Sequence, residues 1–147
     1  MFLAPYITEY LRQQSSLMIL MSNAIYFDKA PAVVGASYIV VLPADDYDHG
    51  NISVGSLTHK QEDFTILIVG DSSTFLQQPW KALLAILQAC RAVTVTSADL
   101  DGSMFIQCVL PQDGGSYCNG HSLEGNELGK PCIIIPCKGS CTLPTLT

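Results

Sequence analysis

The stretch from Glu62 to Cys90 constrains the fold most strongly, because it joins a strand pattern to a helix pattern through one short turn. Residues 64–69, reading FTILIV, are apolar or β-branched throughout, which is typical of a strand covered on both faces. From Pro79 to Cys90 the apolar side chains recur at helical spacing and form one stripe: Trp80, Leu83, Leu84 and Leu87. The sequence therefore predicts a central strand with a helix packed across it.

The turn between this strand and this helix reads GDSS at residues 70–73. With the strand before it, the turn resembles the nucleophile block of the GDS-type (SGNH) esterases, in which Ser72 would be the nucleophile. That family supplies a general base from a late Asp-x-x-His, whereas the one histidine after Ser72, His121, has Cys118 at that spacing. We therefore expect Ser72 to cap the helix and the protein not to be an enzyme. A GDS-type hydrolase fragment is the alternative.

The rest of residues 1–110 supplies the other elements of one α+β domain. An amphipathic helix over Leu3 to Met21, broken near Ser15, comes first. Short apolar runs then predict strands at 24–27, 37–42, 92–97 and 104–110, with Asp101-Gly102 as the turn between the last two. We expect a small mixed or mainly antiparallel sheet of about four to five strands, with two main helices packed on it.

After Pro111 the chain is rich in glycine, proline and cysteine, so we predict an irregular C-terminal extension over residues 111–147. It carries four of the six cysteines: Cys118, Cys132, Cys137 and Cys141. These could form disulfides, with three possible pairings of the four, or remain reduced. Together with His121 they could hold zinc, although a Cys-x2-Cys pair is absent. The main interpretation of the sequence includes neither a cofactor nor a metal.

Residues 44–58 combine turn-forming residues with no sustained period, which predicts a long exposed loop. Because loops often carry contacts, we expect this one to bind a partner. The candidate contact residues are Tyr47, Asp48, His49, Asn51, Ser53 and Thr58.

The composition favours an oligomer that binds neither nucleic acid tightly nor a membrane. Hydrophobic residues make up 48% of the chain and charged residues 14%, so another subunit is expected to cover part of the surface. The net charge of -6 and the scattered Lys and Arg residues do not suit a phosphate-backbone binder. No apolar run is long enough to span a bilayer.

The element order, the early YL of the first helix, and the phrases AIYFDKAPAVVGASYIVVLP and EDFTILIVGDS resemble the tail-terminator or tail-completion proteins of long-tailed bacteriophages. The resemblance implies a homohexameric ring that caps the tail tube, ends tail polymerisation and lets DNA pass through its lumen. It also implies tail tube protein and neck or connector proteins, and possible sheath contact, as partners. The location would be the tail–neck junction of a virion assembled in the host cytoplasm. Another neck or head-completion connector component is the alternative.

Overall fold

The fold was analysed in a computed structural model that describes residues 3–31, 37–44, 59–97, 99–100 and 102–142. The helices are α1 (Ala4–Arg12), α2 (Ser15–Leu20) and α3 (Ser73–Ala89). The strands are β1 (Ile25–Phe27), β2 (Tyr38–Pro43), β3 (His59–Val69), β4 (Val93–Thr96), β5 (Ser103–Pro111), β6 (Ser116–Cys118) and β7 (Cys132–Thr142). Among the described helices, none is long and apolar enough to cross a membrane.

The seven strands form one sheet in the order β1-β2-β3-β7-β5-β4. The short strand β6 pairs with residues 132–134 of β7, whereas β5 pairs with residues 137–142. Only the β1–β2 pair is parallel within these residues, and the other pairs are antiparallel. The prediction of an α+β fold with a mainly antiparallel sheet is therefore confirmed. The sheet has more strands than the predicted four to five.

The prediction of irregular structure after Pro111 is wrong for residues 132–142, which form β7. This strand lies between β3 and β5 and pairs with β3 over its whole length, from Cys132↔Val69 to Thr142↔His59. Pro136 made this strand hard to recognise in the sequence, because proline lacks the N–H that a residue of a central strand donates. The Pro136 carbonyl accepts a hydrogen bond from the Gln112 N–H at 2.7 Å, on the side away from β3. The missing N–H points to that same side, so no hydrogen bond with β3 is lost.

Helix α3 begins at Ser73, six residues before the predicted start at Pro79. Pro79 lies inside the helix and is buried, as is Leu76 one turn earlier. Burial of these two side chains on the sheet offsets the backbone hydrogen bond that proline removes. The predicted stripe is present: Leu83 and Leu87 are fully buried, and Trp80 and Leu84 pack against the same core.

The start of α1 is fixed to β3 by a buried carboxylate. Glu62 Oε2 accepts hydrogen bonds from the Leu3 and Ala4 N–H groups at 2.7 and 3.2 Å, and Lys60 Nζ lies 2.6 Å from Glu62 Oε1. A negative charge at the first turn of a helix satisfies free N–H groups and complements the helix dipole. Glu62 therefore anchors the N-terminal helix to the central strand.

Candidate assembly surface

The sheet has two faces of different character, because side chains alternate along each strand. The inner face carries the helices and includes Phe64, Ile66 and Ile68 of β3 and Ile133 and Ile135 of β7. The outer face is the opposite one. It carries a smaller buried cluster: Ala24, Tyr38, Val40, Leu42, Leu67, Val69 and Cys132.

The outer cluster is covered by the segment between β6 and β7, residues 119–131, which we name the cover loop. Leu123 of this loop packs against the cluster, and the Tyr38 hydroxyl donates to the Gly125 carbonyl at 3.0 Å. Gly125 has a φ of 85°, and a side chain there would meet Leu67 and Val40. A glycine therefore allows the loop backbone to approach the sheet closely.

The cover loop is held in shape by its own hydrogen bonds. The buried Asn126 donates from Nδ2 to the Lys130 carbonyl at 2.8 Å and accepts from the Lys130 N–H at 3.2 Å. Leu123 and Asn126 exchange two backbone hydrogen bonds, at 3.0 and 2.8 Å. The loop is thus a compact unit whose two ends meet at β6 and β7.

A cavity of about 720 Å³ opens on the outer face beside the cover loop. Its floor is formed by outer-face side chains of three adjacent strands, and its wall by the loop. The residues that line it include Leu42, Thr65, Leu67, Ile134, Pro136 and Leu123. One rim carries a weak ion pair, in which Lys138 Nζ lies 3.9 Å from Asp63 Oδ1. The cavity is mainly apolar with a charged rim, as expected for a surface that receives an apolar segment.

Exposed apolar side chains occur on both sides of the sheet. On the outer face, Phe105 and Leu110 of β5 are 39% and 53% exposed, and Leu128 of the cover loop is 83% exposed. On the helix side, Ile19 of α2 is 79% exposed and Phe75 of α3 is 36% exposed. The molecule therefore offers two different surfaces on which apolar contacts with other subunits could form.

The four predicted cysteines are divided between the two faces of the sheet. Cys137 and Cys141 lie in the inner core, whereas Cys118 and Cys132 lie on the outer face. Cys118 of β6 is directly opposite Cys132 of β7 in the antiparallel ladder. All six cysteines are free thiols. The structure brings together one pair of the four and separates it from the other two.

The proposed zinc ligands are not assembled into one site. His121 is an exposed residue of the cover loop, and the sheet separates Cys137 and Cys141 from Cys118 and Cys132. Within the described part of the chain, no group of three or more His, Cys, Asp or Glu side chains is arranged to hold a metal ion.

Burial raises the pKa of the three thiols in the inner core. It raises the pKa of Cys137 to about 12 and that of Cys90 to about 11. It also raises the pKa of Cys141 to about 11. These thiols stay protonated at neutral pH and behave as small core side chains.

Ser72 caps α3, as predicted. Its Oγ accepts a hydrogen bond from the Phe75 N–H at 3.2 Å, which satisfies one of the free donors of the first helical turn. The predicted contact residues Tyr47, Asp48, His49, Asn51, Ser53 and Thr58 lie outside the described residues.

Sequence reasoning missed both the anchoring role of Glu62 and the cover loop. The sequence offered no distinct signal for Glu62, because this residue lies in the polar first half of β3, which reads HKQED before the apolar run begins. The cover loop had a weak signal, namely the turn-forming glycines at 120, 125 and 129 between β6 and β7. Nothing in the sequence indicated which face of the sheet this loop would cover.

No protein-family model matches the chain, and no curated protein matches it. Among solved structures, a chain of the "Virion of native gene transfer agent (GTA) particle" aligns with 96% of this chain and 95% of its own length. The TM-score is 0.61 and the sequence identity is 13%. Another solved structure aligns with 92% of this chain and 90% of its own, at a TM-score of 0.48 and 13% identity, a similarity too low to support a common fold. The first match shows a shared fold over nearly the full length of both chains.

Proposed function

We propose that the protein is a structural, non-enzymatic virion component that forms a six-membered ring at the end of a tail tube. The observation that carries this proposal is the shared fold with a chain of a gene transfer agent virion, which extends over 96% of this chain and 95% of that one. Phrases of the sequence independently resemble phage tail-terminator proteins. In this role the ring stops tail polymerisation and presents its other face to the neck or connector.

The distribution of exposed apolar residues supports a ring. A cyclic assembly with more than two subunits needs a heterologous contact, in which two different surfaces of each subunit meet. Ile19 and Phe75 on the helix side, and Phe105, Leu110 and Leu128 on the outer side, provide candidate halves of such a contact. The cavity beside the cover loop is a concave feature on the same face as the second set, and the cross-strand partner of Leu110, Lys138, lines it.

The acidic charge supports passage of DNA through the ring. The net charge is -6, and DNA phosphates are held by clustered Lys and Arg residues. A lumen that repels phosphates lets a duplex slide, because it offers few sites that would bind the DNA and hold it in place. The proposed partners are tail tube protein, neck or connector proteins and, in a contractile tail, the sheath.

The mass of the native assembly tests the ring. We expect native mass spectrometry to give a species of six copies of the 15.9 kDa chain. Replacing Phe105 and Leu110 together by serine should give monomers that remain folded by circular dichroism, since both side chains are partly exposed and lie outside the inner core. The control Gln88→Ser changes another exposed residue, on α3, and should leave the ring intact. A monomer at all concentrations, in solution and in particles, would remove the ring.

Cross-linking within purified particles distinguishes a tail terminator from another neck or head-completion component. Links to tail tube protein on one side of the ring and to a neck protein on the other support the terminator. Links only to neck or head proteins support the alternative. A hydrolase is tested separately: esterase activity that disappears in Ser72→Ala would favour an enzyme, whereas intact particle assembly in Ser72→Ala without any such activity favours a structural role.

A further inference from the structure

Cys118 and Cys132 are placed face to face at the point where the cover loop leaves and rejoins the sheet. They are direct partners in the antiparallel ladder between β6 and β7. Cys132 belongs to the outer cluster, and Cys118 packs against that cluster, so both side chains lie on the outer face. On its other side Cys132 is paired with Val69 of β3, which fixes its position within the sheet.

This placement suits a disulfide bond. Directly opposite residues of an antiparallel pair have Cα atoms about 4.5–5.5 Å apart, which lies within the Cα separation of about 4.4–6.8 Å that disulfides span. The Cα spacing of this pair is therefore compatible with a disulfide bond. We infer that Cys118 and Cys132 form a reversible disulfide that locks the cover loop onto the outer face of the sheet.

The other cysteines do not offer a comparable pair. Cys137 and Cys141 lie on one strand, four residues apart, which places their Cα atoms roughly 13 Å apart. Across the ladders, Cys137 is opposite Phe64 and Pro111, and Cys141 is opposite Lys60 and Ile106. Cys108 is opposite Ser140. Cys118 with Cys132 is thus the one cysteine pair in direct cross-strand register, and all six cysteines are described residues.

The order of reaction follows from exposure. Cys118 is partly exposed, whereas Cys132 is fully buried. Burial raises the pKa of the Cys132 thiol; Asn126 acts in the opposite direction, and the neighbouring Cys118 raises it further. Cys118 is therefore the thiol that meets an oxidant first, and Cys132 is the thiol that resolves the intermediate.

The oxidant is a small-molecule disulfide such as oxidised glutathione. Cys118 first loses its proton to the solvent, and its thiolate attacks one sulfur of that disulfide. The S–S bond of the small molecule breaks, a mixed disulfide forms, and the leaving thiolate takes up a proton to become the first small thiol. Cys132 then gives up its proton and attacks the Cys118 sulfur, which forms the protein disulfide and releases the second small thiol. The two cysteines are oxidised by two electrons in total, and the small disulfide is reduced to two thiols.

The bond would turn residues 118–132 into a covalently closed segment that contains the whole cover loop. Closing a loop of this length restricts the unfolded chain and stabilises the folded one. It would also hold Leu123 against the outer cluster and fix the wall of the cavity that Leu123 lines. A reducing compartment would leave the loop able to open, and an oxidising environment would lock it. This inference does not depend on the six-membered ring of the proposed function, because a monomer would form the same disulfide bond.

Peptide mapping tests the bond directly. The full chain is incubated with oxidised glutathione, the remaining thiols are alkylated, and the protein is cut after aspartate, glutamate and lysine without reduction. Cleavage after Asp113 and Glu124 separates Cys118 from Cys90 and Cys108. Cleavage after Lys130 and Lys138 leaves Cys132 and Cys137 on one peptide, and its fragmentation in the mass spectrometer shows which of the two is linked. We expect a linked peptide pair that lacks two hydrogen atoms relative to the sum of its parts and separates on addition of reductant.

Thermal unfolding supplies the second readout. The oxidised protein should melt roughly 5–10 °C above the reduced protein, since a closed loop of this length stabilises a domain of this size by that order. Cys118→Ser removes the effect at a partly exposed position and should leave the reduced melting temperature nearly unchanged. Cys108→Ser, also partly buried but outside the pair, should retain the full shift. Absence of the linked peptide after oxidation, or a link between any other two cysteines, would overturn the inference.

Discussion

The inner and outer faces of the sheet are built in different ways, although the same strands supply both. Among the described residues, the inner core contains 25 buried residues contributed by all three helices and by six strands, whereas the outer cluster contains seven. The inner core is covered by helices with regular apolar stripes. The outer cluster is covered by a loop that is held by a few hydrogen bonds and one partly buried leucine. Elements with few buried contacts open at lower free energy than the core, so the outer side is the one that can adjust to a partner.

The largest expected effect is a difference in the free energy of unfolding when leucine is replaced by alanine on the inner and on the outer face. Leu83→Ala removes a fully buried side chain of α3 from the inner core and should lower the free energy of unfolding by about 2–5 kcal/mol. Leu123→Ala removes a partly buried side chain of the cover loop and should cost about 1 kcal/mol. Urea unfolding measures both values. Equal losses would mean that the cover loop is as much a part of the core as α3.

Close packing on the inner face is tested at Gly139. A Cβ at this position would coincide with the Leu3 side chain, so Gly139→Ala should lower the free energy of unfolding by about 1–3 kcal/mol. Ser140→Ala, on the outer face of the same strand, should change it by less than about 0.5 kcal/mol. If the two side chains compete for one space, Gly139→Ala combined with Leu3→Ala will cost less than the sum of the single changes. Additive losses would argue against that contact.

Alkaline pH is expected to weaken the inner core through its thiols. Burial raises the pKa of Cys137 to about 12 from the ordinary value of 9.0, so the unfolded chain loses this proton first as pH rises. The resulting stabilisation is complete below pH 9 and declines between pH 9 and about 12, by at most about 1.4 kcal/mol per pH unit for one thiol. Urea unfolding from pH 7 to 10.5 under reducing conditions should therefore give a shallower decline for Cys137→Ala than for the unchanged protein. Parallel pH profiles would contradict this assignment.

The smallest expected effect concerns the tether of the cover loop. Tyr38→Phe removes the hydroxyl that donates to the Gly125 carbonyl and should cost about 1 kcal/mol. Hydrogen exchange should increase mainly in residues 119–131, and much less in α3. Tyr26→Phe is the matched control, because its ring lies 6.5 Å from that of Tyr38 and its hydroxyl makes no hydrogen bond within the described residues. An equal increase in exchange across the whole sheet would show that the loop does not open separately.

Local patterns in the sequence predicted most of the elements up to residue 110. The apolar run of β3, the stripe of α3, the break between α1 and α2, and the hairpin strands β4 and β5 are all present. These predictions succeeded because the periodicity of a strand or helix records which of its faces is buried. The Ser72 cap succeeded for a similar reason, since a serine before a helix satisfies a local donor.

The candidate site was less predictable, because its parts are brought together by pairing between distant segments. Cys118 and Cys132 were two of four cysteines with three possible pairings, and only the register of β6 against β7 places them opposite each other. The cavity depends on outer-face residues of β2, β3 and β7 and on a loop between two of the later strands. No local pattern specifies such neighbours.

The sequence by itself determined the central unit of strand β3, the Ser72 cap and helix α3, since hydrophobic period and capping chemistry act over a few residues. Only the tertiary structure decided that β7 enters the sheet between β3 and β5, with Pro136 directing its missing N–H away from β3. That insertion divides the four late cysteines between two faces and places the cover loop over the outer one. The physical reason is that strand pairing satisfies backbone groups of segments far apart in the chain, so the partner of each strand is chosen by the whole fold.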